Sequence, residues 1–226
     1  MSHAVCAGSS INDCAQGECE RHASLCLLPA IQDGDGQLPM IRRYQISQGR
    51  RDPVASFQVR IKSAESMKAK LARQSLPITA DSAFQNVWDA AGVRLVCPFV
   101  QNIDQTVGLI RQIPGIQILR EKDYIRNPKP NGYRSYHVIL SLPLRFLEKM
   151  PEHPVWLEVQ LRTIAMDCWA SIEHQLKYKH NIENQALIVR ELKRCADEIA
   201  STDLSLQTIR DLIEGPGKEG ALCARF

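Results

Sequence analysis

Residues 155–179 read VWLEVQLRTIAMDCWASIEHQLKYK, and this segment decides the fold because its hydrophobic period changes in the middle. Aliphatic residues first occupy alternate positions: Val155, Leu157, Val159 and Leu161. Such alternation predicts a β-strand with one apolar face. From about Thr163 to Lys179 the apolar residues recur at helical spacing: Met166, Trp169, Ile172 and Leu176. A strand that continues directly into an amphipathic helix is typical of an α/β domain.

The other face of the predicted strand is polar. It carries Glu158, Gln160 and Arg162, and Trp156 stands at its start. The predicted helix adds further polar residues: Asp167, Glu173, His174 and Lys177. A cleft between strand and helix would explain this composition, but so would a sheet surface that faces solvent.

Strand patterns also precede this segment. One strand is predicted through Val93, Leu95 and Cys97, and two more at residues 115–121 and 134–142. With residues 155–163 this makes four strands. Because helical patterns separate them, we predict an α/β domain that carries a helical extension at its C-terminus.

Helical spacing defines the remaining elements. The first helix has the stripe Ile61, Ala64, Met67 and Leu71 and reaches about residue 73. The second covers residues 81–89, with Phe84, Val87 and Trp88 facing inward. The third begins at Asn102 and carries Ile103, Val107 and Ile110. Two more fill residues 184–200 and 203–214 and end at Gly215-Pro216-Gly217.

The length, composition and net charge of the chain are those of an ordinary globular protein. The chain has 226 residues, of which 44% are hydrophobic and 23% are charged, and a net charge of +3. No apolar run approaches the roughly 18–20 residues that a membrane helix needs. Four of the eight cysteines are scattered singly through the body, so we expect a reduced, cytoplasmic setting.

We divide the chain into three segments. Residues 1–40 form a variable, flexible head, 41–182 the α/β domain and 183–226 a helical extension. The head holds four cysteines: Cys6, Cys14, Cys19 and Cys26. Their spacing matches no CxxC-type zinc pattern, so free thiols and a metal or redox role both remain open.

Positive charge is concentrated in residues 41–73, which hold nine Arg or Lys against two acidic residues. Lys62, Ser66 and Lys70 are spaced to share one helical face. Two ammonium groups beside a hydroxyl near a helix start suit a polyphosphate. A solvated basic face has the same pattern, so spacing alone does not decide.

A second candidate segment is Asp89-Ala-Ala-Gly-Val-Arg94, where a helix is predicted to pass into a strand. Asp89 would lie at the strand mouth, where a carboxylate can bind metal or act in catalysis. Gly92 would allow a ligand or another backbone segment to approach closely, and Arg94 would leave the core side and could stack on a base. A helix-ending aspartate and a surface arginine are the alternative interpretation.

The third segment is Lys129-Pro-Asn-Gly-Tyr-Arg-Ser-Tyr-His137, a turn followed by an extended stretch. Strand alternation predicts Tyr133, Ser135 and His137 on one face. An aromatic ring, a hydroxyl and an imidazole on one strand edge suit a nucleoside. The alternative is a buried Tyr–His pair in the core.

No Walker loop, GxGxxG motif or Ser/His/Asp order is present. Phosphate chemistry here would therefore depend on carboxylates and a metal ion. Taken together and in order, these three segments and Trp156–Thr163 resemble the synthetase domain of the RelA/SpoT family. They are most similar to its short members, the small alarmone synthetases. The resemblance covers about residues 52–179.

The resemblance implies a nucleotidyltransferase-like mixed sheet flanked by helices. It also implies transfer of the β,γ-pyrophosphate of ATP to the 3′-hydroxyl of GDP or GTP, with release of AMP. For the donor, it implies that Arg60 and Arg94 enclose adenine and that Lys62, Ser66 and Lys70 hold phosphates. Asp89 and Glu158 would hold Mg²⁺, and Glu158 would draw the proton from the 3′-hydroxyl.

For the acceptor, the resemblance implies that Tyr133 stacks on guanine. The acceptor's phosphates would meet three basic side chains: Lys122, Lys129 and His137. Asn131 and Gln160 would line the same pocket. No hydrolase motif is visible, so degradation of the product is not expected.

The helical extension resembles the tail through which relatives form tetramers, so we expect a homotetramer. Its apolar face would be Ala186, Leu187, Val189, Leu192, Cys195 and Ile199. Packing of these residues onto the same domain is the alternative.

Two other functions remain open: a toxic relative that uses an adenosine nucleotide or a tRNA 3′ end as acceptor, and a non-catalytic nucleotide- or RNA-binding regulator. Single-stranded RNA could also be a secondary ligand of the basic segment.

Overall fold

The computed structural model of the protein describes residues 51–113, 115–142, 155–177 and 184–215. These residues contain five strands: β1 (Ser56–Ile61), β2 (Ala91–Cys97), β3 (Gln117–Asp123), β4 (Tyr136–Leu142) and β5 (Val155–Thr163). They also contain five helices: α1 (Ala64–Arg73), α2 (Ala80–Asn86), α3 (Val100–Arg111), α4 (Ile164–Lys177) and α5 (Gln185–Glu214). The predicted head, residues 1–40, lies outside the described residues, as do residues 41–50 of the basic segment.

The strands form one mixed sheet in the order β1-β2-β5-β4-β3. β2 and β5 are parallel, whereas the other three pairs are antiparallel. The prediction of a mixed sheet flanked by helices is confirmed, but the prediction of four strands was wrong. The missed strand is β1, whose last residue, Ile61, we had placed in the stripe of the first helix.

One face of the sheet builds the core. Two rows of paired residues on neighbouring strands cross it, Val93–Val159–Val138 and Leu95–Leu161–Tyr136. All but Tyr136 are at most 4% exposed. Ile103, Val107 and Ile110 of α3 and Met166 of α4 pack onto the same cluster. Since strand residues alternate between faces, the opposite face is available for function.

The boundaries of α1 and α2 differ from the prediction. Ser63 caps α1, because its Oγ accepts a hydrogen bond from the Ser66 amide at 3.3 Å. Lys62 therefore precedes the helix instead of lying on it. α2 ends at Asn86, since Val87 leaves helical geometry.

Of the three residues predicted to face inward on α2, Val87 is buried at 3% exposure. Trp88 was predicted wrongly: its side chain is 36% exposed and meets Trp156 edge-on, with 4.8 Å between ring centroids. The side chain of Phe84 lies outside the described residues.

The start of α3 and the buried face of α4 also differ from the prediction. α3 begins at Val100, with Phe99 as its cap, and not at Asn102. On α4, Met166 and Trp169 are buried as predicted, but Ile172 is 50% and Leu176 is 38% exposed.

The C-terminal extension is one helix of 30 residues, where we predicted two. Short hydroxyl side chains such as those of Ser201 and Thr202 can compete with helical hydrogen bonds, but they do not interrupt this helix. Here the Thr202 hydroxyl donates to the Glu198 carbonyl at 3.0 Å, within the helix. Asp203, which is 4% exposed, accepts a hydrogen bond from Thr163 Oγ1 at 2.6 Å and so fixes the middle of α5 to the start of α4.

Part of the apolar face predicted for assembly is used within the domain. Leu192, Cys195 and Ile199 pack with Ala196 against Trp169 and Ala170 of α4. For these residues the intramolecular alternative was right. Leu187 and Val189 remain 47% and 38% exposed. In the described part of the chain, no helix has the length and hydrophobicity needed to cross a membrane.

Candidate functional site

The register of the sheet assembles two lateral rows of residues on the face opposite the core. One row is Arg60, Gly92, Glu158, Ile139 and Arg120. The other is Gln58, Arg94, Gln160, His137 and Lys122. Residues paired across strands point to the same face. Six predicted site residues from all five strands thus share one polar surface.

Asp89 lies just before β2 and is held by two lysines. Lys62 Nζ is 2.5 Å from its Oδ2 and Lys70 Nζ is 2.7 Å from its Oδ1. Burial raises the pKa of Asp89, but the hydrogen bonds and charges of Lys62 and Lys70 outweigh it and lower the pKa below its ordinary value. Although Lys62 is not on the helix, the two ammonium groups that we expected to lie together do so, and both contact Asp89.

Ser66 lies in the first turn of α1, between these lysines in sequence. It is half-buried, and its hydroxyl accepts a hydrogen bond from Ser63 Oγ at 3.0 Å. The start of α1 thus carries hydroxyl groups beside the ammonium groups.

Glu158 lies in the middle of the sheet on β5. His137 Nδ1 is 2.9 Å from its Oε1, and Gln160 Nε2 donates to its Oε2 at 2.9 Å. Burial raises the pKa of Glu158, but these two hydrogen bonds outweigh it and lower the pKa. The carboxylate is therefore ionised at neutral pH and has a defined orientation.

Asp89 and Glu158 line the same cleft, which has a volume of about 520 Å³. Three of the predicted basic residues line it as well: Lys70, Lys122 and His137. The negative charge of Asp89 also acts on the pKa of Glu158. The two acidic side chains, 69 positions apart in the sequence, thus converge on one cavity.

A tyrosine platform lies beyond His137, whose two ring nitrogens contact the Tyr133 hydroxyl and Glu158. The hydroxyl of Tyr133 is 2.9 Å from His137 Nε2 and accepts a hydrogen bond from Arg162 Nη2 at 2.8 Å. Lys129 Nζ lies 4.8 Å from the Tyr133 ring centroid. The predicted proximity of Tyr133 and His137 is present, although β4 begins only at Tyr136.

Ser135, which we placed on the same face, does not reach the site. Its side chain is fully buried and donates to the Leu161 carbonyl at 3.1 Å. The error came from extending strand alternation through residues 133–135, which precede the strand.

The side chain of Asn131 shapes the turn below the platform. Its Oδ1 accepts from the Tyr133 amide at 3.2 Å, and its Nδ2 donates to Glu173 Oε1 at 3.0 Å. The amide thus connects the turn to α4.

The two arginines of the expected donor site lie on adjacent strands. Arg94 pairs with Asp167 at 3.4 Å and contacts Gln58 Oε1 at 3.5 Å. Burial, followed by the positive charge of Arg162, lowers the pKa of Arg94. Arg60 is exposed and stands diagonally across the β1–β2 ladder from Arg94.

Sequence reasoning missed two residues of this surface, and it placed a third, Arg162, on the polar face of the strand without giving it a role. Arg120 and Trp88 line the cleft. Arg162 is only 5% exposed and donates to Asp167 Oδ1 at 3.0 Å as well as to Tyr133. Arg120 lies two positions before Lys122, and this spacing could have identified it.

The carboxylates fit a magnesium site that relies on substrate oxygens. Among the described residues, no group of three or more His, Cys, Asp or Glu is placed to hold a metal ion. Mg²⁺ in phosphoryl-transfer sites usually takes one or two carboxylates and completes its shell with water and substrate phosphates. Asp89 and Glu158, facing one cleft, meet that requirement.

Comparison with known families and proteins gives a consistent result. Residues 59–183 match the model of the region found in RelA/SpoT proteins. The chain is 38% identical to GTP pyrophosphokinase YwaC of Bacillus subtilis over 69% of this chain and 73% of the relative. It is 29% identical to GTP pyrophosphokinase YjbM of the same organism over 82% of this chain and 85% of the relative.

A solved structure agrees with the sequence comparisons. The small alarmone synthetase 1 of Bacillus subtilis, bound to its product pppGpp, superposes with a TM-score of 0.74 at 26% identity. The superposition covers 88% of this chain and all of the solved chain.

Proposed function

This chain belongs to the RelA/SpoT family, and from that premise we infer that it is a (p)ppGpp synthetase. It is a GTP pyrophosphokinase, which transfers the β,γ-pyrophosphate of ATP to the 3′-hydroxyl of GDP or GTP. The observation that carries this inference is the meeting of Asp89 and Glu158 in one cleft, beside a tyrosine platform and several basic side chains. The roles of individual residues in this reaction are proposals.

ATP would bind over β1 and β2. Diagonal positions of an antiparallel ladder are about 7–8 Å apart. An aromatic ring contacts a planar group at about 3.5–4 Å on each face. Guanidinium groups that keep the diagonal spacing of Arg60 and Arg94 would therefore enclose the adenine ring. Lys62 precedes α1, Ser66 lies in its first turn and Lys70 in its last turn. Their positive charges and hydroxyl would hold the phosphates beside Asp89.

The glycine between Arg60 and Glu158 in the sheet row supports this placement of ATP. Gly92 has no side chain, and a Cβ added there would meet only backbone oxygens at ordinary distances of 3.6 and 3.8 Å. Packing therefore does not demand glycine at this point. We propose that the missing side chain leaves room for the donor nucleotide on the way to Glu158.

GDP or GTP would bind over β4 and β5. Tyr133 offers a ring for guanine, and its hydroxyl is held by His137 and Arg162. Lys122, Lys129 and His137 would meet the acceptor's phosphates, while Gln160 and Asn131 border the same region. The two nucleotides would thus lie on the same face of the sheet and approach Glu158 from its two opposite edges.

Glu158 would take the proton from the 3′-hydroxyl. That oxygen then attacks the β-phosphorus of ATP, the bond to the α-phosphate oxygen breaks, and AMP leaves with the bonding electrons. Lys62 and Lys70 would balance the negative charge that spreads over the phosphate oxygens. Mg²⁺, held by Asp89 and Glu158, would supply further charge neutralisation when bound.

The test is an incubation of the full chain with labelled ATP and Mg²⁺, in which the acceptor is GDP, GTP, an adenosine nucleotide or tRNA. We expect AMP and a 3′-pyrophosphorylated guanosine nucleotide with GDP or GTP. Transfer only to the adenosine nucleotide or to tRNA would instead identify a toxic relative. Salt-sensitive RNA binding without turnover would identify a regulator.

We further propose a cytoplasmic homotetramer assembled through α5. Support for assembly comes from large apolar side chains that α5 leaves exposed, among them Leu212 at 78% and Ile213 at 77%. Support for a reducing compartment comes from Cys97, Cys168 and Cys195, which are free thiols in the described part of the chain.

A further inference from the structure

The turn that carries Tyr133 rests directly on α5. Gly132 is buried and has φ +89°, a left-handed conformation that favours glycine. A Cβ added here would lie 2.5 Å from Ala196 Cβ and 3.1 Å from Lys193 Cα. The backbone of the turn therefore touches the helix with no room for even one more carbon atom.

Further contacts connect the two elements. Tyr133 packs against the cluster that contains Ala196. Arg134 donates to Asp197 Oδ1 at 3.1 Å from one side of its guanidinium group and to the Ile125 carbonyl at 3.0 Å from the other. Three consecutive residues, Gly132, Tyr133 and Arg134, thus contact one stretch of α5.

The turn is internally closed and should move as a unit. The Gly132 amide donates to the Lys129 carbonyl at 2.8 Å, and the Lys129 amide donates to the Tyr133 carbonyl at 3.2 Å. A displacement at Gly132 must therefore move Tyr133 as well. Because the Tyr133 hydroxyl contacts His137, movement of Tyr133 also affects the position of His137. His137 in turn contacts Glu158.

We propose that α5 positions the acceptor site, with Ala196 setting the position of the Tyr133 platform and Asp197 holding it there through Arg134. This inference rests on the proposed function, in which Tyr133 stacks on guanine. It makes the C-terminal helix a positioning element of catalysis in addition to its expected role in assembly. In the sheet, β1 and β2, which carry Arg60 and Arg94, lie on the other side of β5 from β4. Arg94 is the one expected ATP residue with a described link to the turn, through Asp167 and Arg162 to Tyr133.

The proposal predicts a selective kinetic defect. In Ala196→Val, the added methyl groups push against Gly132 and tilt the turn. A misplacement of about 1 Å at a reacting group costs up to about a hundredfold. We therefore expect the KM for GDP or GTP to rise on the order of tenfold or more, while the KM for ATP stays within about twofold. A purely structural defect would lower the active fraction and leave both KM values unchanged.

Ala186→Val is the matched control, because Ala186 is exposed on the same helix and ten residues away, about 15 Å along its axis. It should leave both KM values unchanged. Asp197→Asn is the second variant and carries the test if Ala196→Val does not fold. It removes the charge that pairs with Arg134 without changing the volume, and we expect a rise of up to about fivefold in the acceptor KM alone.

Tyr133→Ala distinguishes a failure of the positioning role of α5 from a failure of the proposed guanine platform. If Tyr133→Ala raises the acceptor KM and neither Ala196→Val nor Asp197→Asn does, the role of α5 is refuted while the guanine platform stands. If Tyr133→Ala leaves the acceptor KM unchanged, the proposed platform is itself wrong. An equal rise of both KM values in Ala196→Val would also overturn the positioning role.

Discussion

At the scale of single residues, the site depends on how Glu158 keeps its charge. Its side chain is only 19% exposed, and burial by itself would favour the protonated form. His137 and Gln160 lower its pKa instead and point its oxygens into the cleft. The same surroundings that keep the carboxylate ionised also orient it, which is what a general base needs.

Replacing Glu158 by Gln removes the carboxylate that we propose as the base and preserves the size of the side chain. We expect pyrophosphate transfer to fall by at least about 10²-fold, because general bases contribute typically 10²–10⁴-fold. Separation of labelled products measures this. Nucleotide binding, followed by calorimetry, should persist and shows that the variant is folded. Undiminished turnover would remove Glu158 from its assigned role.

The lowered pKa of Asp89 predicts how the stability of the fold depends on pH. Its lowered pKa means that its contacts with Lys62 and Lys70 stabilise the fold above the ordinary carboxyl pKa of about 4 and that this contribution is lost as the pH falls through the lowered value. Denaturant unfolding of the wild type should therefore show a loss of stability on the acid side that is smaller in Asp89→Asn. Parallel stability curves for the two proteins would contradict the assignment.

At the scale of secondary-structure elements, the register of the strands determines which side chains share the polar face. Gly92 and Arg94 of β2 lie on the polar face, and their partners on β5 are Glu158 and Gln160. A shift by one residue would turn these side chains into the core. The polar row that contains Glu158 is therefore tied to the same alternation that buries Val93 and Leu95.

Filling the space above Gly92 should block ATP without harming the fold. A valine suits a β-strand, and the position has no close side-chain neighbour. We expect Gly92→Val to lower kcat/KM on the order of 10²-fold, mainly through a higher KM for ATP. Thermal unfolding should show little change, and Gly92→Ala should have a smaller effect. A variant with normal ATP kinetics would refute the proposed path of the donor.

The contact between Thr163 and Asp203 joins β5, α4 and α5. Burial raises the pKa of Asp203, only partly opposed by the Thr163 hydrogen bond. A raised pKa contributes stability below the ordinary value of about 4, and that contribution is lost as the pH rises through the raised value. At neutral pH the buried charge is therefore unfavourable.

We expect Asp203→Asn to be more stable than the wild type at pH 7, since Asn still accepts the Thr163 hydrogen bond, and the difference should shrink towards pH 4. Chemical denaturation across this range measures it. Thr163→Val should instead destabilise by about 1–2 kcal/mol, because Thr163 Oγ1 also accepts from the Met166 amide at 3.1 Å at the start of α4. A less stable Asp203→Asn at pH 7 would show that the buried carboxylate is favourable after all.

At the scale of the whole molecule, α5 has two different surfaces. Around Leu192–Ile199 it packs against α4 and the turn of Tyr133. Towards its end it carries apolar side chains that no described residue of the chain covers: Leu204, Leu206, Ile209, Leu212 and Ile213. Such exposure fits an interface between copies of the chain.

Replacing Leu212 and Ile213 together by Glu should reduce the mass in solution, because the charges would be buried in the proposed interface. Light scattering after size-exclusion chromatography measures the mass. Leu119→Glu is the control, since Leu119 is also exposed, at 44%, but lies on β3. An unchanged mass in the double variant would refute assembly through this end of α5.

The amino-acid sequence by itself determined the elements that have a clear period and the order of the chemical segments. Alternation located β2 and β5, because a buried strand face leaves a regular mark on the sequence. The order of the polar segments was enough to indicate the family and the reaction. Ends of elements were less accurate, as at Lys62 and Trp88, because caps and edge strands leave weaker patterns.

Only the tertiary structure decided which side chains meet. Register set Arg60, Glu158 and Arg120 in one row, and no periodicity within a single strand contains that information. The contact of Gly132 with Ala196, 64 positions later, likewise depends on how α5 packs back onto the domain. Local sequence specifies the shape of each segment, whereas long-range packing determines which segments become neighbours.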